Sequence, residues 1–105
     1  MTGIGGCRGS GGISADTLIL TGKGELISIH GIATGTDTGL IKVHDCLSQG
    51  DCSDANLLGM LYVGTVGNGA SYAEADMHGV YFTTGLFADV TDVSGTGTLF
   101  TVEFI

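Results

Sequence analysis

The sequence predicts an all-β protein: a single antiparallel β-sandwich, jelly-roll-like, of about seven or eight short strands, behind a Gly-rich N-terminal arm. Three observations predict it. Glycine fills 20 of 105 positions and proline none, and the segments "TGKGE", "TGTDTG", "VGNGA", "TTG" and "SGTGT" punctuate the chain at short intervals, as tight turns do. The runs between them alternate apolar and polar residues, the period of strands that bury one face and wet the other. No window of a dozen residues keeps a helical period, and so much Gly and Thr lowers helix propensity.

The elements follow in order. Residues 1–12, "MTGIGGCRGSGG", are half glycine and read as a flexible arm, separate from a sandwich domain at 13–105. Ile4, Cys7 and Arg8 are its candidate partner contacts. "DTLILT" (16–21) is the first strand. "GELISIHGIAT" (24–34) is the second, with Ile27 and Ile29 opposite Leu26, Ser28 and His30. "GLIKVHD" (39–45) sets Ile41 and Val43 against Lys42 and His44. "NLLGMLYVGTV" (56–66) carries a glycine that suggests a bulge. "ASYAEADM" (70–77), "GVYFTTG" (79–85) and "GLFADVTDV" (85–93) follow. "GTLFTVEFI" (97–105) closes the chain, with Phe100, Val102 and Phe104 on one face. Two sheets packed face to face fit this count. Helical crossovers are missing, which excludes a βαβ layout, and without tryptophan the Cys…Trp…Cys landmarks of immunoglobulin domains are absent.

Composition narrows the function. Three basic residues (Arg8, Lys23, Lys42) against eleven acidic ones give a net charge of −8. A nucleic-acid binder needs a basic patch to replace phosphate counterions, and three scattered cations do not make one. No apolar run reaches membrane-spanning length. The N-terminus lacks the apolar core of a secretory signal, so synthesis in a reducing cytoplasm is expected. Only 13% of residues are charged while mean hydropathy is positive. That combination suits a threonine-rich β-surface or a surface covered by other subunits.

Chemical motifs are sparse. A dinucleotide fingerprint fails because Arg8 stands where the third glycine belongs, and a P-loop fails because Thr17 and Gly24 stand at its required positions. His30, His44 and His78 form no H-x-x-x-H, and no serine sits in a G-x-S-x-G elbow. Asp89 and Asp92, and Glu74 and Asp76, read as wet strand faces. No catalytic residue and no cofactor is expected.

The densest stretch is "HDCLSQGDCSD" (44–54). Cys46 and Cys52 have five residues between them, wider than a zinc pair, and with His44 they lack a second partner motif. Asp45, Asp51, Asp54 and Asn56 supply the oxygens of a candidate calcium loop without the EF-hand pattern. Cys46 and Cys52 are a candidate disulfide, worth about 2–2.5 kcal/mol by loop-closure entropy and formed only after exposure to an oxidising medium. The commonest structure for such a stretch is a loop between two strands.

Residues 79–105, "GVYFTTGLFADVTDVSGTGTLFTVEFI", resemble the C-terminal half of a group of small virion proteins of tailed bacteriophages. In that group an aromatic strand leads to T/S-G-L-Y/F, an alternating strand, a glycine turn and a final T-x-T-V-x-Y/F strand. The matching residues are Phe82, Gly85, Leu86, Phe87, the turn Ser94-Gly95-Thr96-Gly97, and Phe100, Val102 and Phe104. "GLIKVHDCLSQGDCSDANLLGMLYV" looks like the same group's strand, polar loop and return strand, so the resemblance spans residues 24 to 105. It implies a non-enzymatic structural protein located in the virion and made in the host cytoplasm. A capsid decoration or cement role is expected. The implied partners are the major capsid protein and further copies of the chain, as a homo-oligomer and most plausibly a trimer. A tail-fibre, knob or other tail-associated role is the alternative. A small carbohydrate-binding sandwich module is a third reading, with Tyr62, Tyr72 and Tyr81 as its only tyrosines.

Overall fold

The structure, a computed structural model, describes residues 7–64 and 70–105. Among the described residues eight strands form: β1 Arg8–Gly9, β2 Thr17–Thr21, β3 Gly24–Thr34, β4 Thr38–His44, β5 Leu57–Gly64, β6 Ala70–Phe82, β7 Gly85–Ser94 and β8 Leu99–Phe104. They make two four-stranded sheets, ordered β1-β8-β3-β6 and β2-β7-β4-β5, with every pairing antiparallel.

The pairings are nested. β4 pairs with β5, β3 with β6, β2 with β7 and β1 with β8, so the chain is one long hairpin whose arms run side by side. Rolling that hairpin adds two further pairings, β3 with β8 and β4 with β7. This is an eight-stranded jelly roll, the architecture that closes two Greek keys into a sandwich. The expected all-β sandwich is the observed fold.

Two elements differ from the sequence reading. The runs at 70–77 and 79–85 are a single strand, β6, which pairs with β3 on both sides of a bulge at Leu26/Ser28. His78 (φ 54°) and Gly79 (φ 79°) adopt left-handed backbone there, and the His78 N–H donates to Asp76 Oδ1 at 3.0 Å. The sequence shows such a site as a turn; the structure uses it as a kink inside a pairing strand. β3 also bulges against β8 at Ile27, where Leu26 and Ser28 pair with the consecutive residues Phe104 and Glu103, so Leu26 and Ile29 are both fully buried although strict alternation sets them on opposite faces. The other difference is β1, which lies within residues 1–12. Arg8 and Gly9 pair with Phe104 and Glu103, the Ser10 N–H donates to the Val102 carbonyl, and Ile13 bridges to Phe100.

Phe100 is at the middle of the core. Its ring enters the space left by two strand glycines from opposite sheets: a Cβ on Gly31 would lie 2.8 Å from the ring and one on Gly39 3.2 Å. Leu26, Ile29, Ile41, Val43, Phe82, Leu86, Val102 and Phe104 surround it, with Ile13 sealing one side. The alternation of β8 is as expected, with Phe100, Val102 and Phe104 inward and Thr101 and Glu103 outward.

Candidate functional site

The β4–β5 loop folds back over the outer face of the sheet that contains β4 and β7. His44, an outward-facing residue of β4, is therefore 3% exposed. Two single 3-10 turns, Gln49–Asp51 and Asp54–Asn56, shape the loop. Asn56 anchors it: its Oδ1 accepts the Ser53 N–H at 3.0 Å and its Nδ2 donates to the Asp51 carbonyl at 2.8 Å. Those two bonds fix which way the amide points. His44 Nδ1 lies 3.0 Å from the Ser53 carbonyl and 2.9 Å from Asn56 Oδ1. Both are acceptors, so Nδ1 carries a proton and donates, which leaves Nε2 as the nitrogen turned away from these partners.

Asp45 has a different task. Its carboxylate accepts the N–H groups of Thr83 (2.9 Å), Thr84 (2.8 Å) and Gly85 (3.1 Å) and the Thr83 hydroxyl (3.2 Å). Burial alone would raise its pKa; the three backbone N–H groups and the hydroxyl outweigh it and hold the carboxyl below its usual range. Both oxygens of Asp45 thus clamp the β6–β7 turn. Asp51 Oδ2 accepts the Ser48 hydroxyl at 3.0 Å, and Asp54 is exposed. Among the described residues, the Asp45, Asp51 and Asp54 carboxylates do not form a group of mutually close ligand atoms.

The two loop thiols do come together. Cys46 is buried, Cys52 half-buried, and their sulfurs are 3.3 Å apart as unbonded thiols. Both also face the Ser48 carbonyl, at 3.4 and 3.6 Å. Burial, then the Cys46 thiol, then the Asp89 and Asp16 carboxylates push the Cys52 thiol up to about 12. Cys52 is therefore a protonated thiol at neutral pH, the opposite of an activated nucleophile.

Asp89 is the neighbour that sequence reasoning missed. It lies on β7 directly opposite Lys42 of β4, half-buried. Burial and the adjacent Asp16 carboxylate raise its pKa, while His44 and Lys42 pull it down. Asp16 is itself pinned by the Val90 N–H at 2.8 Å. Among the described residues, His44, Cys52 and Asp89 form one group whose ligand atoms all lie within 4.8 Å of one another. No spacing in the sequence joins residue 44 to residue 89; only the β4–β7 pairing does.

A second polar cluster lies on the outer face of the other sheet. The Ser28 hydroxyl donates to Glu103 Oε1, and His30 Nε2 lies 3.0 Å from Ser28 Oγ and 3.2 Å from Glu103 Oε1. His30 Nδ1 meets the Tyr72 hydroxyl at 3.0 Å. The Ser28 hydroxyl, then His30, hold the Glu103 carboxyl below its ordinary value. The trio has the residue types of a hydrolytic triad but not its geometry. A triad sets serine and acid on opposite ring nitrogens; here both crowd Nε2, and the serine proton is already held by the carboxylate.

Three exposed apolar side chains stand beside this cluster. Ile32 is paired across the sheet with Tyr72 on one side and Leu99 on the other. They are 42%, 64% and 45% exposed. The tyrosines do not lie side by side. Tyr62 is on β5 of the opposite sheet, and Tyr72 and Tyr81 pair with Ile32 and Glu25, about 23 Å apart at strand rise. Of the arm residues, Cys7 is exposed, Arg8 places its guanidinium 4.9 Å over the Phe104 ring, and Ile4 lies outside the described residues.

No family model, no curated protein and no solved structure matches this chain. Fold and surface define it as an eight-stranded jelly roll with an apolar row on one sheet and a His/Cys/Asp cluster on the other.

Proposed function

We propose that this chain is a non-enzymatic structural protein of a bacteriophage particle, a capsid decoration subunit that binds the outside of the shell and neighbouring copies of itself. The observation that carries the reading is the Tyr72–Ile32–Leu99 row, three large apolar side chains contiguous across β6, β3 and β8. Scattered apolar residues on a surface are ordinary, whereas a contiguous patch marks a place that another surface covers. The jelly-roll architecture is common to viral capsid and lectin domains, so the fold is compatible with the reading without deciding it. The resemblance of residues 24 to 105 to small virion proteins favours the capsid over the lectin. The separation of the three tyrosines also leaves a sugar platform without its second aromatic. The net charge of −8 fits a coat whose outer face repels like particles.

The test is substitution within the row. Ile32→Asp adds a charge at an outward position and leaves the core untouched. The parent chain is expected to self-associate in light scattering and to co-sediment with particles, and the variant to lose both while keeping its circular dichroism spectrum. Equal co-sedimentation of variant and parent contradicts the assignment of this face.

A further inference from the structure

We propose that His44, Cys52 and Asp89 form a zinc-binding clasp that fastens the β4–β5 loop to the outer face of its sheet. The donors come from three separate places, the end of β4, the loop and the middle of β7, and the fold brings their ligand atoms within 4.8 Å of one another. A tetrahedral Zn²⁺ with bonds of about 2.0–2.3 Å holds its ligands roughly 3.3–3.8 Å apart. Side-chain rotation of about 1 Å closes that difference, within the reach of three side chains that are not themselves part of the core.

The donor set selects the ion. A sulfur ligand is unsuited to calcium or magnesium, which take oxygen, whereas imidazole, thiolate and carboxylate together suit zinc. The histidine is already prepared for it. Nδ1 donates to the Ser53 carbonyl and to Asn56 Oδ1, and Asn56 is oriented by two further bonds. That is the outer hydrogen bonding that metal-ligating histidines carry, and it leaves Nε2 as the binding nitrogen. Asp16, held in place by the Val90 N–H, sets a second carboxylate beside Asp89 and raises its pKa, so a bound cation also relieves the repulsion between the two. Cys46, 3.3 Å behind Cys52, is outside the group of mutually close donors. The clasp therefore uses three protein ligands and leaves the fourth position to a water or an incoming group. Binding deprotonates the Cys52 thiol and releases its proton to solvent; no redox change is involved.

The experiment uses the full chain, kept reduced with a phosphine and stripped of metal by a chelator, with Co²⁺ as the spectroscopic probe and Zn²⁺ as competitor. One equivalent of Co²⁺ is expected to give a thiolate-to-metal charge-transfer band and tetrahedral d–d absorption, both abolished by one equivalent of Zn²⁺. Cys52→Ser should lose the charge-transfer band, and Asp89→Asn should weaken binding by at least about tenfold. Cys46→Ser, which also removes any disulfide, should bind as the parent does. Because His44 is buried and its loss would disturb the fold, the variants are made at the two half-buried positions, with circular dichroism confirming that each is folded. Octahedral cobalt without a thiolate band, parent-like affinity in folded Asp89→Asn, or loss of binding in Cys46→Ser would each overturn the assignment.

Discussion

Single residues carry the strongest consequences. Asp45 satisfies three backbone N–H groups of the β6–β7 turn, so Asp45→Ala strands them and should cost about 2–3 kcal/mol in chemical denaturation. The pH dependence follows from the depressed pKa. A carboxyl lowered in the folded state contributes stability that is present above its unfolded value of 3.8 and is lost as pH falls through the folded value. The stability gap between the parent and Asp45→Asn should therefore be widest near neutral pH and narrow in acid below the usual carboxylate range. A gap that stays constant down to strong acid would refute the clamp. Phe100 gives a second residue-scale outcome. Its ring is fully buried between Gly31 and Gly39, so Phe100→Ala should cost about 3–5 kcal/mol. Gly31→Ala should cost about 1–3 kcal/mol by overpacking against the same ring.

At the scale of elements, the β6 bulge is the feature with the sharpest requirement. Gly79 has φ 79°, and a Cβ there would lie 2.7 Å from Glu25 Oε1. Gly79→Ala should destabilise the chain by about 1 kcal/mol or more, and urea unfolding measures it. The bulge also shows what was legible in the sequence. Period-two patterning located β3, β4, β7 and β8 to within two residues at each end, although β7 buries Leu86, Phe87 and Ala88 in succession and β3 breaks phase at its bulge. "MHG" reads as a turn because left-handed backbone looks the same in a turn and in a bulge. Only the partner strand distinguishes them, and β3 pairs with β6 on both sides of the kink. β1 was illegible for a related reason. Two residues, Arg8 and Gly9, carry no period, and what makes them a strand is the open edge of β8. Of the 44–54 stretch, the loop and the nearness of its cysteines were readable. Asp89 was not, since long-range pairing of β4 and β7 brings it there.

For the molecule as a whole, the rolled hairpin leaves four edge strands among the described residues, β1, β6, β2 and β5, and the first two are blunted. β1 is two residues long, and β6 carries Glu74, Asp76 and a bulge, which blunt pairing with another chain's edge. The proposed association uses a sheet face, where the Tyr72–Ile32–Leu99 row lies. The proposed zinc clasp, on the opposite sheet, is independent of that contact, so metal removal should lower the thermal midpoint without changing the proposed self-association. Scanning with and without chelator, followed by light scattering on the same samples, checks it. The central claim is that the chain is a coat component, and quantitative mass spectrometry of purified phage particles tests it most directly. A copy number comparable to that of the major shell subunit is the expected result. Absence of the chain from intact particles would contradict the account.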